Sequence, residues 1–193
     1  MTNPPPRSLL DRLADGPDSP AWAEFNRVYT PLLRAWLRPH VLQPADADDV
    51  VQDVLLVVAD KLPGFRPVRP ESFRAWLRAI LGYRLKTHWK RARRRPTAGG
   101  FERLVAGLED GQSELARRLD EEHNRHVVGQ LLEDIRPHFQ PATWQAFWRT
   151  VIVEESVVRV AADLRLTANA VFIARSRVLK RLRQEVVGLV DDV

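Results

Sequence analysis

The stretch FRAWLRAILGYRLKTHWKRARRR, Phe73 to Arg95, places nine Lys or Arg and no Asp or Glu in one run, with Trp76, Tyr83 and Trp89 among them. Cations at this density neutralise phosphates, and an exposed aromatic ring stacks on an unpaired base for roughly 1–3 kcal/mol. A second block, Leu164 to Arg183, has six basic residues and no acid. Two acidic blocks alternate with these: Asp46 to Asp60 holds five Asp and no cation, and Gly99 to Asn124 has seven acids against three Arg. The net charge is +5, but where the charges sit says more about partners than their sum. A charge run is also how a solvated helix face is built, so a purely solubilising role stands beside the polyanion reading.

Other chemistries find less support. Zero cysteines exclude disulfides and thiolate catalysis, and the five His show no H-E-x-x-H or comparable ligand spacing. No nucleophile elbow, Gly-rich phosphate loop or paired-carboxylate motif stands in the chain. No enzymatic activity, cofactor or metal is therefore expected. No apolar run approaches the length of a bilayer span, and the start MTNPPPRSLLDRLADG is too polar and proline-rich for a secretory signal. The expectation is a cytoplasmic protein with no membrane partner.

The elements that must carry these charges read as all-α. Prolines at 4–6, 17 and 20 keep residues 1–20 irregular apart from a short helix around Ser8 to Leu13. From Ala21 to Leu37, Trp22, Phe25, Val28, Tyr29, Leu32, Leu33 and Trp36 recur at three and four, the spacing of one buried helical face. DADDVVQDVLLVVADKL opens with carboxylates at a helix N-terminus and carries a core stripe of Val50, Val51, Val54, Leu55 and Val58. LPGFRPVRPES, Leu62 to Ser72, is a loop by its prolines and glycine. The helix after it packs with Phe73, Trp76, Leu77, Ile80 and Leu81 and turns basic toward Arg95. Residues 97–124, acidic and weakly periodic, read as a linker with some helical tendency.

A second unit spans about 125–190. Its last three pieces, EESVVRVAADL, RLT and ANAVFIARSRVLKRLRQEV, form a helix, a short turn and a longer basic helix, with Thr167 as N-cap. Val157, Val160, Ala161 and Leu164 are spaced for burial in the first helix, and Val171, Ile173 or Ala174, Val178, Leu179 and Leu182 in the second. Arg175, Arg177, Lys180, Arg181 and Arg183 are left mainly on the exposed arc. Arg165 stands where many such turns carry Gly, at a cost on the order of 1 kcal/mol if its φ is positive. A helix of this kind can enter a major groove.

Taken in order, DADDVVQDVLLVVADKLPGF, SFRAWLRAILGYRLKTHWKRARRR and VVRVAADLRLTANAVFIARSRVLKRLR resemble the extracytoplasmic-function (ECF) sigma factors of bacterial RNA polymerase. The first two stretches look like sigma region 2 (21–96) and the third like the helix-turn-helix of region 4 (125–190), two small helical domains joined by a flexible linker. The resemblance implies a transcription initiation factor that binds core RNA polymerase and directs it to promoter DNA. It assigns Asp49, Gln52 and Asp53 to core-polymerase binding. It assigns Phe65, Arg66, Arg69 and Ser72 of the loop, with Arg84, Lys86, Lys90 and Arg91, to the minus-ten element. Thr167, Asn169, Ala170, Arg175, Arg177 and Lys180 fall to the minus-thirty-five element. Many relatives are held inactive by an anti-sigma protein, which would be a further partner. Tyr83, Thr87 and Arg165 depart from residues common in the family (Asn, Asp and Gly). Two other readings compete: a dimeric helix-turn-helix regulator that binds duplex DNA without polymerase, and a helical module for an acidic protein. The acidic linker is also placed to fold against the basic helices when polymerase is absent.

Overall fold

The computed structural model describes residues 8–13, 16, 19–38, 43–65, 72–92 and 100–190. Among them the regular elements are all helical: α1 (Leu9–Leu13), α2 (Pro20–Leu37), α3 (Pro44–Lys61), α4 (Ser72–Ala92), α5 (Gly100–Glu109), α6 (Glu114–Ile135), α7 (Pro141–Phe147), α8 (Val157–Leu164) and α9 (Ala168–Val186). A π turn over Trp148–Ile152 follows α7. Among the described residues no helix is long and apolar enough to cross a membrane. The chain divides into two compact units, one chiefly Arg7–Val127 and the other chiefly Val128–Val186.

In the first unit, Ser19 caps α2 by accepting a hydrogen bond from the Ala21 amide, and Pro20 occupies the first turn, where its missing N–H costs nothing. The predicted face of α2 is the buried one, and Pro31 sits on its exposed side without ending the helix. Phe25 stacks on Tyr29 at 4.2 Å, and Phe73 of α4 meets both rings edge-on. Burying side chains of this size is worth roughly 1.5–3 kcal/mol each, which is what fixes the rotation of α2 and α4. Val50, Val51, Val54 and Val58 of α3 are buried as expected, while Leu55 is half-buried.

The stretch expected to be a linker departs from that reading. From Gly100 to Asn124 it lies in α5 and α6, and Leu104, Val105, Leu108, Ala116 and Leu119 are buried. α5 packs on α4, and the two halves of the hairpin meet closely at Gly107, where a Cβ would lie 3.0 Å from the Leu115 side chain. Asp110 accepts from the Gln112 amide in an Asx-type turn, and Ser113 caps α6 by accepting from Ala116 N. Most of the acids that made the segment look solvated are exposed, Asp120 instead facing α4, while Leu104, Val105, Leu108, Ala116 and Leu119 are internal.

The second unit has a small core of Ala146, Val160, Ala161, Val171 and Ala174, with Val157, Leu164 and Leu166 packed against it. Arg149, in the π turn, donates to both oxygens of Glu155 and to Asp163 of α8, tying the turn to that helix. The same hydrogen bonds raise the Arg149 pKa and hold the Glu155 carboxyl below its ordinary value of 4.5. Ser156 caps α8 through the Arg159 amide.

Candidate nucleic-acid interface

The acids of α3 point in two directions. Asp48 accepts from Arg34 Nε of α2 at 2.6 Å, and Asp46 lies 3.6 Å from His88 Nε2 of α4. Asp49, Gln52 and Asp53 share another face at spacings of three and four, and Leu56 extends that stripe, strongly exposed. Among the described residues neither Asp49 nor Asp53 has an ion-pair partner. The stripe therefore sets the Asp49 and Asp53 carboxylates beside an exposed apolar side chain.

The basic block of α4 is also divided. Arg74 and Arg78 are only 3% and 5% exposed. Both face Asp120 of α6, Arg78 through a hydrogen bond, and Arg74 donates to Asn124 Oδ1 at 2.8 Å. Lys86 pairs with Glu109 of α5. Arg84 is half-buried, its guanidinium 5.6 Å from the centre of the Tyr83 ring, and Tyr83 itself is exposed. Lys90 and Arg91 are exposed at the end of α4. Trp89 is buried, which removes it from any stacking role, and Tyr83 is left as the exposed ring on this helix.

α6 is held on α2 and α4 by a run of polar contacts. His123 carries one ring proton: Nδ1 donates to Asn124 Oδ1 at 3.3 Å, and Nε2 accepts from the Tyr29 hydroxyl at 3.1 Å. Burial penalises the charged ring and lowers its pKa to about 3, the Asn124 hydrogen bond partly opposing this and the Arg74 charge adding to it. Burial likewise pushes the Tyr29 hydroxyl well above its usual range. His126 Nε2 donates to the Val28 carbonyl at 2.7 Å.

In the second unit, α8 ends in a left-handed turn. Arg165 has φ 54°, the Leu166 amide donates to Ala161 O at 2.9 Å, and the Arg165 amide donates to Ala162 O at 3.2 Å. This pair of bonds is a Schellman motif, with Leu166 folded back onto the core. Thr167 Oγ1 then accepts from the Ala170 amide and starts α9. The buried stripe of α9 is Val171, Ala174, Val178, Leu182 and Val186, so Ala174 packs and Ile173 does not. Asn169, Phe172, Ile173, Ser176, Arg177 and Lys180 are exposed on the opposite arc. Arg175 is exposed at the edge of the buried stripe, beside Val171 and Val178. Arg181, expected in solvent, pairs with the buried carboxylate of Glu185 one turn on.

Residues 27–95, which contain α3, the loop and α4, match the family model for sigma-70 region 2. A 92-residue stretch is 35% identical to the ECF RNA polymerase sigma factor SigF of Caulobacter vibrioides, covering 47% of this chain and 50% of that protein. The chain is thus similar to sigma-70 factors over residues 27–95, and to an ECF-type factor over about half of each chain's length.

The matched segment spans the residues expected for polymerase binding and for the minus-ten element, and the structure disposes them unequally. Asp49, Gln52 and Asp53 lie together on one face. Phe65 is half-buried and stacks on Trp76 at 4.6 Å, so it anchors the loop to α4. Trp76, expected in the core, is itself half-buried as the other face of that pair. Ser72 opens α4, while Arg66 and Arg69 lie outside the described residues, as do Arg93 to Arg95. Thr167 caps α9, and Asn169, Ala170, Arg175, Arg177 and Lys180 lie along its first four turns, with Ala170 half-buried and Arg175 off the arc that Asn169, Arg177 and Lys180 share. Sequence reasoning missed Leu56, Phe172 and Ile173, which it had no reason to separate from core leucines and valines. It also missed the internal role of Arg74 and Arg78, although each stands three residues before a buried leucine, Leu77 and Leu81, beside the buried stripe of the same helix.

Proposed function

We propose that this protein is a transcription initiation factor that joins core RNA polymerase and directs it to a subset of promoters. The observation that carries this reading is the outward stripe Asp49, Gln52, Asp53 and Leu56 inside the region 2 match. A DNA-binding protein that acts alone has no use for an acidic face that phosphates repel, whereas a factor that must dock on a large enzyme does. In this reading the Phe65 loop and the outer face of α4, with Tyr83, Arg84, Lys90 and Arg91, hold the opened minus-ten region. α9, led by Thr167 and Asn169 and followed by Arg177 and Lys180, lies in the major groove of the minus-thirty-five element, with Arg175 on a phosphate. Two modest sites on one chain add as tethered sites and need not be strong singly. Trapping unpaired bases offsets the roughly 1.4 kcal/mol per step lost when stacking is broken. Nothing in this mechanism requires a bond to be made or cleaved.

Reconstitution with core RNA polymerase on a pool of promoter fragments tests the reading. The wild-type chain forms a complex and gives promoter-dependent transcripts, and Asp49→Arg with Asp53→Arg abolishes association. Because both side chains project from α3, circular dichroism of that variant stays unchanged. A factor that makes no complex with polymerase, or whose association survives the double reversal, overturns the proposal. A footprint on duplex DNA from the chain alone, as a dimer, would replace it with an autonomous regulator.

A further inference from the structure

The exposed arc of α9 holds two large apolar side chains where a solvated helix would place polar ones. Phe172 is 52% exposed and Ile173 44%, and with Ser176, Arg177 and Lys180 they line one shallow hollow. The buried stripe of the same helix is already complete without them. Asn169 lies one turn before this pair, and the two cations lie one and two turns after it. The surface therefore runs from Asn169 through an apolar pair to two cations, which fits a polyanion that carries apolar features beside its charges. In the major groove of B-DNA that apolar feature is the thymine C5-methyl group. An acidic protein partner would meet the cations, but would not account for small apolar contacts flanked by Asn169 and Ser176, residues suited to base edges.

Resting on the reading of α9 as the recognition helix, we infer that Phe172 and Ile173 select the upstream element by packing against thymine methyl groups. Arg177 and Lys180, one and two turns further along α9, supply the phosphate and purine contacts. This makes the upstream element thymine-containing at the positions under the N-terminal half of α9. It also makes Phe172 and Ile173, rather than the cations, the residues that distinguish thymine from other pyrimidines.

The experiment uses the full chain with core RNA polymerase. Fragments with randomised upstream positions are selected, and each thymine of the recovered element is then replaced singly by uracil, which removes the methyl group and leaves the base-pair edge intact. One or more replacements lower holoenzyme affinity about four-fold, the weight of one buried methyl group. In Phe172→Ala or Ile173→Ala the thymine and uracil duplexes bind equally well. Indifference of the wild-type complex to every thymine-to-uracil change, with Arg177→Glu still abolishing selection, overturns the methyl reading and leaves the recognition helix standing. If no upstream element is enriched, or Arg177→Glu with Lys180→Glu leaves the enriched element unchanged, the underlying reading of α9 falls. A Phe172→Ala variant that weakens thymine and uracil duplexes alike assigns the pair to a protein contact, and that also overturns the inference.

Discussion

In α4, Arg74 and Arg78 lie buried against Asp120, and Lys86 meets Glu109; in α9, Arg175, Arg177 and Lys180 are exposed, and Arg181 pairs locally with Glu185. Both helices come from strings dense in Lys and Arg and free of acids, except that α9 ends on Glu185. What separates them is the source of their counter-charges. α4 receives its carboxylates from more than twenty residues downstream, so packing of α5 and α6 decides which of its cations can meet a phosphate. α9 has no acid in its first four turns, and Arg175, Arg177 and Lys180 stay exposed. A run of positive charge is thus a statement about composition, and its availability is set by tertiary partners.

The sharpest way to break this comparison is to remove the shared carboxylate. Asp120→Ala takes from buried Arg78 the carboxylate it hydrogen-bonds and from buried Arg74 one 3.7 Å away; breaking a fully buried pair costs about 3–5 kcal/mol. Asp120 is one-quarter exposed, so a loss near the lower end of that range is expected in urea unfolding. Arg177→Glu on α9, in the same assay, changes stability by less than about 0.5 kcal/mol. Equal effects would erase the distinction between an internal and an external basic helix.

Acid separates the two units in a second way. Neutral His123 is buried with a pKa near 3 against an ordinary 6.5, so between these values the unfolded chain binds a proton that the folded chain refuses. Stability of the first unit is full above pH 6.5 and falls as the pH drops toward 3, by up to about ten-fold in the folding equilibrium per pH unit. Glu155 is shifted down by Arg149, so its contribution is full above 4.5 and is lost only as the pH falls through its depressed folded value. Unit-resolved hydrogen exchange across pH 7 to 4 is expected to loosen α2, α4 and the start of α6 first. His123→Gln flattens that slope, and loosening of α8 and α9 at the higher pH would contradict it.

Arg165→Gly relieves a left-handed backbone at a non-glycine residue and stabilises the second unit by about 1 kcal/mol, read as a rise in its thermal midpoint. No such gain is expected in the first unit. The smallest effect sharpens the comparison from the side of α4. Glu109→Gln breaks an exposed pair worth less than about 1 kcal/mol and releases Lys86. Its stability change is near the limit of measurement, while the salt dependence of DNA binding steepens by up to about one phosphate contact.

Much of the helical order was legible in the chain because periodicity and caps are local. The α2 face, the Asp-led start of α3, the Thr167 cap and the position of the turn at Arg165 all follow from residues within one or two turns. The extent of helix in residues 100–124 was less legible, because seven acids masked the apolar triplet Leu104, Val105 and Leu108 around the turn at Asp110 and the cap at Ser113. On the candidate site, the residue types were found and their exposure was not. Asp46 and Asp48 are turned to neighbouring helices, Asp49 and Asp53 away from them, although all four lie within eight positions.

The sequence by itself determined an all-helical chain, two basic helices, an acid-led helix between loops, and the place of a turn at Arg165, since each depends on steric and electrostatic rules acting over a few residues. Only the tertiary structure decided which charges are surface and which are structural. Burying a guanidinium requires a carboxylate brought from elsewhere in the chain, as Asp120 is brought to Arg74 and Arg78, and no local rule can report that approach. It likewise decided that Leu56, Phe172 and Ile173 face outward, because an apolar side chain is core or contact surface according to what packs beside it.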